Sequence, residues 1–523
     1  MVWHIFKKDW KLMWKSGAAV VALQLAYALI RSRVEFADGN ESLRQLQNLM
    51  TGVWLMASFI WIVILVHQDA LPGATQDWLT RPIRRVDMLM AKVLFAVLAV
   101  QGASIAGDLI QGLSSGFPFG QTLRAAIARA WIGLIWITIP ALLIGVLTRS
   151  TADAMVVGVA FFLGTTGFMA IAVVLVGGDQ RHLDPTLGTG VRWIPDLLRY
   201  VMILAGGAIL LLMQYRTRKT RRGRTIAAVA MFVMLCSQAM PWKPLYAIEK
   251  HFSTTPGAET GIALAWQAHR EPAGNDSRQD PFLYGFNPNM SNPNETRLTL
   301  PLAVAGLPAD SVLKEDKAVV ALTDAAGNAV YSTNGRPIEI WREGAQIGPV
   351  AYDQSAGIPA QIFQENKDRL VRAKTTHSLT LFKLVTSYSM PALQGDRRMR
   401  AFGRCRSKIN AATTLVEVDC MQIGPGPTCA TVFLEDPKDG SRNRPLSACH
   451  PNYSPYIDQP IPDAVSHFPM DLPFRDTTGQ LTFAVDASKI EHAQIVIRVY
   501  EPVDHFTRVV ESPLVPMKDL AAK

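Results

Sequence analysis

Hydrophobic positions divide this chain into two regimes. Up to about Pro241 they come in long unbroken runs, and beyond it they alternate with polar residues or form short bursts between turns. A helix gains 1.5 Å per residue and lipid offers its backbone no partner, so crossing the hydrocarbon takes about 20 apolar residues, roughly 17 to 25. Seven stretches qualify, near 16–31, 47–66, 91–112, 126–147, 154–177, 197–214 and 225–241. The pattern predicts an α-helical membrane domain of six spans over 1–215, then a basic loop and seventh span over 216–241. Residues 242–293 lack periodicity and read as linker or irregular segment. From Asn294 onward, runs such as TRLTLPLAV, AVVALTD, LTLFKLVTSY, TTLVEVDC, ATVFLED, LTFAVDAS and AQIVIRVYEP lie between Gly, Pro, Asn and Asp turns. They predict an all-β, sandwich-like domain over 294–523, of one module or of two with a break near 367–376.

Charge orients this arrangement. Lys and Arg number 52 against 43 Asp and Glu, and the 18% of charged residues falls below the roughly 25% of soluble domains. Lys7, Lys8, Lys11 and Lys15 precede the first span, Arg81, Arg84 and Arg85 follow the second, Arg149 follows the fourth, and Arg216 to Arg224 follow the sixth. The opposite loops are balanced: Arg31, Arg33 and Arg44 stand against Glu35, Asp38 and Glu41. Basic short loops stay in the cytoplasm. The expected localisation is therefore a bacterial inner membrane, with the N-terminus cytoplasmic and residues 242–523 in the periplasm or outside the cell. No small-residue cleavage site follows the first apolar run, so that run reads as a retained anchor.

Cysteines fit that orientation. Cys236 lies in the last predicted span, while Cys405, Cys420, Cys429 and Cys449 all fall in the exported part, where disulfides persist. Two connectivities suit hairpin geometry. One pairs Cys405 with Cys420 and Cys429 with Cys449; the other pairs Cys420 with Cys429 across Gly424-Pro425-Gly426-Pro427, leaving Cys405 to Cys449. Asp439-Gly440 at the centre of the Cys429 to Cys449 interval favours the first.

Candidate chemistry is sparse. The chain has no G-x-x-x-x-G-K-[ST], H-E-x-x-H or C-x-x-C, so it offers no P-loop for ATP and no usual zinc site. Gly112-Leu113-Ser114-Ser115-Gly116 matches a nucleophile elbow in letters only, since it joins two spans rather than a strand to a helix. Asp108 and Arg129 stand at similar depth on consecutive antiparallel spans. They read as a structural ion pair, as part of a substrate path, or as interfacial residues. In RRMRAFGRCRSK, Arg398, Arg400, Phe402, Arg404, Arg406 and Lys408 share one parity, and as one strand they would line a single face. That face is either a solvated edge or a site for anionic lipid or cargo. Nucleic acid is not an expected partner outside the cell, despite a sequence pI of 9.3. Between the second and third spans, Trp78, Leu79, Ile83 and Met88 alternate with Arg81, Arg84 and Arg85 in an amphipathic stretch that could dock a partner or lie on lipid.

The segment KKDWKLMW, then His67-Gln68-Asp69, Pro72-Gly73, Asp77-Trp78-Leu79-Thr80-Arg81-Pro82 and Lys92, resembles the permease subunit of a type-2 ABC exporter over about residues 1–215. The resemblance implies a dimer of permeases, a second copy or a paralogue, served by a separate ABC ATPase subunit. That subunit would carry the ATP and Mg, with no cofactor bound by this chain and no catalysis of its own. It also implies that Asp77, Trp78, Arg81 and Pro82 lie at the ATPase-coupling surface. The seventh span and the β domain depart from the family pattern. The reading expected is a permease that moves or extracts an amphipathic compound among membrane lipids; the alternative is a membrane-anchored receptor or scaffold whose β domain senses a ligand.

Overall fold

A computed structural model describes residues 1–34, 41–68, 84–160, 193–217, 220–236, 242–267, 295–335, 337–342, 348–400, 403–410, 415–423, 429–438, 440, 446–447, 449, 465–473, 490 and 492–521. Apolar runs become helices α1 (Val2–Val34), α2 (Glu41–His67), α3 (Arg85–Ser114), α4 (Phe119–Leu147), α5 (Thr151–Ala160), α6 (Asp196–Thr217) and α7 (Thr220–Cys236). Among the described residues five of them, α1, α2, α3, α4 and α6, are long and apolar enough to cross a membrane. The chain is a membrane protein with a β domain, and of the seven expected spans five are long apolar helices among the described residues. The predicted fifth span is described only as α5, the rest of 154–177 lying outside the described residues. The predicted seventh is described as α7 over 17 residues, with Arg221, Arg222 and Arg224 in its first turns, and 237–241 lie outside the described residues.

α1 is longer than a span needs. Its 33 residues cover about 50 Å, so the lysine-rich start and the apolar run form one helix. Trp61 of α2 meets it by donating to Ser16 Oγ at 3.2 Å, and its ring packs where Gly17 leaves room. Ile62, Leu65 and Val66 of α2, Phe95 and Val100 of α3, and Leu142 and Val146 of α4 complete the bundle core.

The second half is antiparallel β throughout. Its strands are β1 (Ala263–Trp266), β2 (Glu295–Ala305), β3 (Ser311–Asp324), β4 (Ala329–Gly335), β5 (Glu339–Arg342), β6 (Val350–Pro359), β7 (Leu370–Pro391), β8 (Asp396–Met399), β9 (Gly403–Asn410), β10 (Leu415–Ile423), β11 (Cys429–Glu435), β12 (Leu446–Ser447), β13 (Val465–Pro473), β14 (Gln494–Glu511) and β15 (Val515–Pro516). The large sheet runs β1-β2-β6-β4-β3-β7-β14-β11-β12, with β5 on β3 and β15 on β7; the small one runs β13-β10-β9-β8. Strict alternation sends Leu298, Leu300 and Leu302 of β2 inward while Thr299 and Pro301 are less buried. The small sheet covers one end of the large one through a shared core of Cys405, Val416, Val418 and Cys420 against Val432, Leu434, Ile495 and Ile497. Another core, with Leu298, Val320, Ile358, Val371 and Met517, fills the far end.

β7 and β14 run through both ends. The break considered near 367–376 coincides with the end of a short helix, α9 (Ala360–Asn366), and the start of the 22-residue β7. Residues 242–293, read as linker, instead begin with helix α8 (Trp242–Lys250) and contribute β1, while 268–293 lie outside the described residues. α8 escapes a pattern search because it is nine residues long with three buried anchors, Trp242, Leu245 and Tyr246.

Candidate functional site

Polar residues gather inside the apolar bundle. On α1, Gln24, Tyr27, Ala28 and Arg31 follow a spacing of three and four and so share one face. On α3, Ser104, Gly107, Asp108 and Gln111 do the same, and the seam between the helices is tight: a methyl on Gly107 would stand 3.1 Å from Ala28 Cβ. Trp54 of α2 and Arg129 of α4 close a small pocket between the four helices. Arg129 Nη1 donates to Asp108 Oδ1, so the two residues read as neighbours from helix depth are bonded and buried. Arg31, counted from sequence among the outer-loop charges, is only 3% exposed and lines the same pocket. The Tyr27 and Trp54 rings stack at 6.1 Å.

Three of the five long helices also carry a π turn: Val97–Gln101 in α3, Leu134–Thr138 in α4 and Met202–Gly206 in α6. Such turns loosen the helical ladder and concentrate at functional sites. The Gln101 amide stitches two of them, accepting from Thr138 Oγ1 at 3.0 Å and Leu134 N at 3.2 Å and donating to Ala130 O.

One end of the bundle is tied by basic groups. Lys92, fully buried on α3, lies 3.6 Å from Asp9 of α1 and donates to Leu65 O of α2, joining the N-terminal helix to the next two. Arg224 Nε donates to Leu147 O at 2.9 Å and Arg85 Nη1 to Arg216 O at 3.0 Å, placing cations on the negative ends of α4 and α6. His67 bridges Thr148 and Thr151 at this end. The predicted coupling residues Asp77, Trp78, Arg81 and Pro82 lie outside the described residues.

The opposite end meets the β domain. α3 stops at Gly116, at φ +81, where Phe117 N bonds Gly112 O at 2.9 Å and Gly116 N bonds Leu113 O at 3.0 Å. This is a glycine C-cap, and the elbow-like motif is that cap. Phe117 then packs on Met421 and Ile423 of β10 and over Gly403, and the Arg398 guanidinium lies against Gly116.

This contact revises the basic strand. Residues 398–408 form two strands, β8 and β9, which pair Arg398 with Arg404 and Asp396 with Arg406. Arg400 sits in the turn between them, and Phe402 lies outside the described residues. Gly403 at φ +68 permits the reversal. Arg404 Nε bonds Asp396 at 2.8 Å, Arg406 approaches the same carboxylate at 3.7 Å, and Lys408 lies 3.1 Å from Glu417. The Arg404 guanidinium holds the Asp396 carboxyl below the usual carboxylate range. Arg404, Arg406 and Lys408 are thus ion-paired on this surface, and Arg398 lies against the α3–α4 turn. Behind this surface Cys405 is bonded to Cys420, and Cys429 of β11 is bonded to Cys449, two residues beyond β12.

A second polar cluster lies under α8. Bulges in β3 at Asp316 and in β14 at Val503 flank Thr380 of β7, which donates to Asp316 Oδ2 and lies 2.9 Å from His505 Nδ1. Lys314 pairs with Asp316 at 3.2 Å, and Glu249 of α8 stands 4.0 Å from His505. Burial, with help from Asp316, pushes the Glu249 carboxyl up to about 8, and burial lowers His505. Tyr246 OH clamps the helix from between Leu379 O at 2.6 Å and Phe506 O at 2.8 Å. Sequence reading passed over this cluster and over Gln24, Tyr27, Trp54 and Asp9. The α1 residues carried a readable signal, a polar stripe at helical period within an apolar run.

No protein-family model matches the chain, and no curated protein matches it.

Proposed function

We propose that this chain is the permease subunit of an ATP-driven membrane transporter, moving or extracting an amphipathic compound with ATP hydrolysed on a separate subunit. The observation that carries the reading is the buried pocket of two guanidiniums, one carboxylate and two glutamines inside otherwise apolar helices. Ionisable groups at membrane depth are costly and mark ligand or ion paths. Three features lend support. The π turns give α3, α4 and α6 places to flex, the basic ties lie at one end of the bundle and the β domain at the other, and the disulfides suit an oxidising compartment. In this reading the β domain is an external platform held by the α3–α4 turn. The loop containing Asp77, Trp78, Arg81 and Pro82 couples to the ATPase on the cytoplasmic side, and the working unit pairs two permeases.

Purification of the intact chain from its native membrane should bring down an ABC ATPase. Replacing Trp78 and Arg81 together with Ala should release that ATPase without loss of membrane insertion. A complex in which no ATPase appears would instead favour the receptor or scaffold reading.

A further inference from the structure

We propose that the rim where the β8–β9 hairpin meets the α3–α4 turn is a binding surface for anionic phospholipid headgroups, with Arg398 and Arg400 of the hairpin and Arg124 of α4 holding the phosphates. It goes beyond the permease reading and does not depend on it.

Depth is the first argument. α3 has 30 residues and α4 has 29, so each rises about 45 Å, close to the roughly 40–45 Å of a bilayer counted with its headgroups. The turn that joins them therefore stands in a headgroup layer. Its flanks face lipid: Leu113 near the end of α3 and Phe119 at the start of α4 are 46% and 58% exposed. The Arg398 guanidinium lies against Gly116, midway between these two, so the hairpin stands at the same level. Arg124, Ile127 and Trp131 follow a spacing of three and four and share one exposed face of α4. That places a guanidinium at the turn end of an apolar stripe, where a long basic side chain reaches from lipid to the interface.

Charge is the second argument. Asp396 serves Arg404 and Arg406, and Glu417 serves Lys408. Arg124, Arg398 and Arg400 are exposed, and among the described residues they have neither a salt bridge nor a hydrogen bond; Arg398 acts on Asp396 by longer-range attraction alone. A guanidinium offers a planar fork of N–H donors that fits a phosphate. Each basic residue beside an anionic membrane strengthens binding about fivefold. A choline headgroup brings its own cation and no net charge, whereas phosphatidylglycerol brings a net negative charge. An acidic protein would have to reach these cations within the headgroup layer, beside lipid-facing Leu113 and Phe119, so lipid is the occupant that the position favours. Lipid then holds the β domain at the hairpin, while Phe117 holds it at the turn.

Hydrogen exchange of the full-length chain in nanodiscs tests this. Amides of β8 and β9 should exchange at least about fivefold more slowly in equal parts phosphatidylglycerol and phosphatidylcholine than in phosphatidylcholine alone. Inorganic phosphate added to the phosphatidylcholine discs should not reproduce the slowing. The double variant Arg398→Gln, Arg400→Gln should lose most of the difference between the two membranes. It is compared with itself, so a general loosening of the hairpin cancels. Equal exchange of the wild type in the two membranes, the same slowing from inorganic phosphate, or a full difference kept by the double variant overturns the proposal. The wild-type comparison decides the matter even if the variant fails to insert. No ATPase takes part, so failure here leaves the permease reading standing, and a missing ATPase leaves this result standing.

Discussion

At the scale of single residues, burial decides which charges matter. Asp108 and Arg129 are 2% and 8% exposed and bonded to each other. In buried pairs, removing one partner costs about 3–5 kcal/mol, whereas replacing both by apolar residues is often neutral. Asp108→Ala and Arg129→Ala should each lower the melting temperature of the purified protein more than the double variant does. Additive losses would show that the pair is not coupled. Glu249 makes a second test. A carboxyl that holds its proton more tightly folded than unfolded contributes stability that is full below its ordinary 4.5 and is lost as pH rises toward about 8. The stability of the wild type relative to Glu249→Gln should therefore fall across that window, read by thermal melts at a series of pH values. His505, whose shift has the opposite sign, titrates in both proteins. The depth argument made Asp108 and Arg129 legible in sequence. Asp316 was not, because a bulge re-aims it and no periodic pattern registers one extra residue.

At the scale of elements, RRMRAFGRCRSK shows how a correct pattern can hide a turn. Arg398 opposes Arg404 and Asp396 opposes Arg406, so hairpin partners have the same parity and the alternation continues unbroken through the reversal. Gly403 was the available signal. A Cβ there would stand 2.2 Å from the Phe117 ring and 2.6 Å from Met421 O, on a backbone at φ +68. Gly403→Ala should cost at least about 1–2 kcal/mol from the left-handed conformation alone and loosen the contact with the α3–α4 turn. Limited proteolysis should then release the β domain faster than from wild type; an unchanged rate would mean that the turn does not hold it. The carboxylates that pair with Arg404, Arg406 and Lys408 were hidden for another reason: Glu417 comes from the neighbouring strand, and pairing across strands is not written in either strand's own period.

At the scale of the whole molecule, the two regimes of hydrophobic patterning correspond to a helical bundle and an antiparallel β domain. Five of the long runs are helices apolar enough to cross a membrane, while the predicted fifth and seventh spans are described only in part, as α5 and α7. The external β domain is the claim on which pocket, platform and coupling loop all depend. Arg224 ties α7 to the end of α4 that holds Leu147, while Phe117 at the other end of α4 touches β10, so the chain must pass from one end of the bundle to the other between Arg224 and the β domain. A reporter that fluoresces only in the cytoplasm measures this directly when fused after Arg222 or after Lys523. The account predicts a bright fusion at Arg222 and a dark one at Lys523. A bright fusion at Lys523 would put the β domain in the cytoplasm and contradict the account.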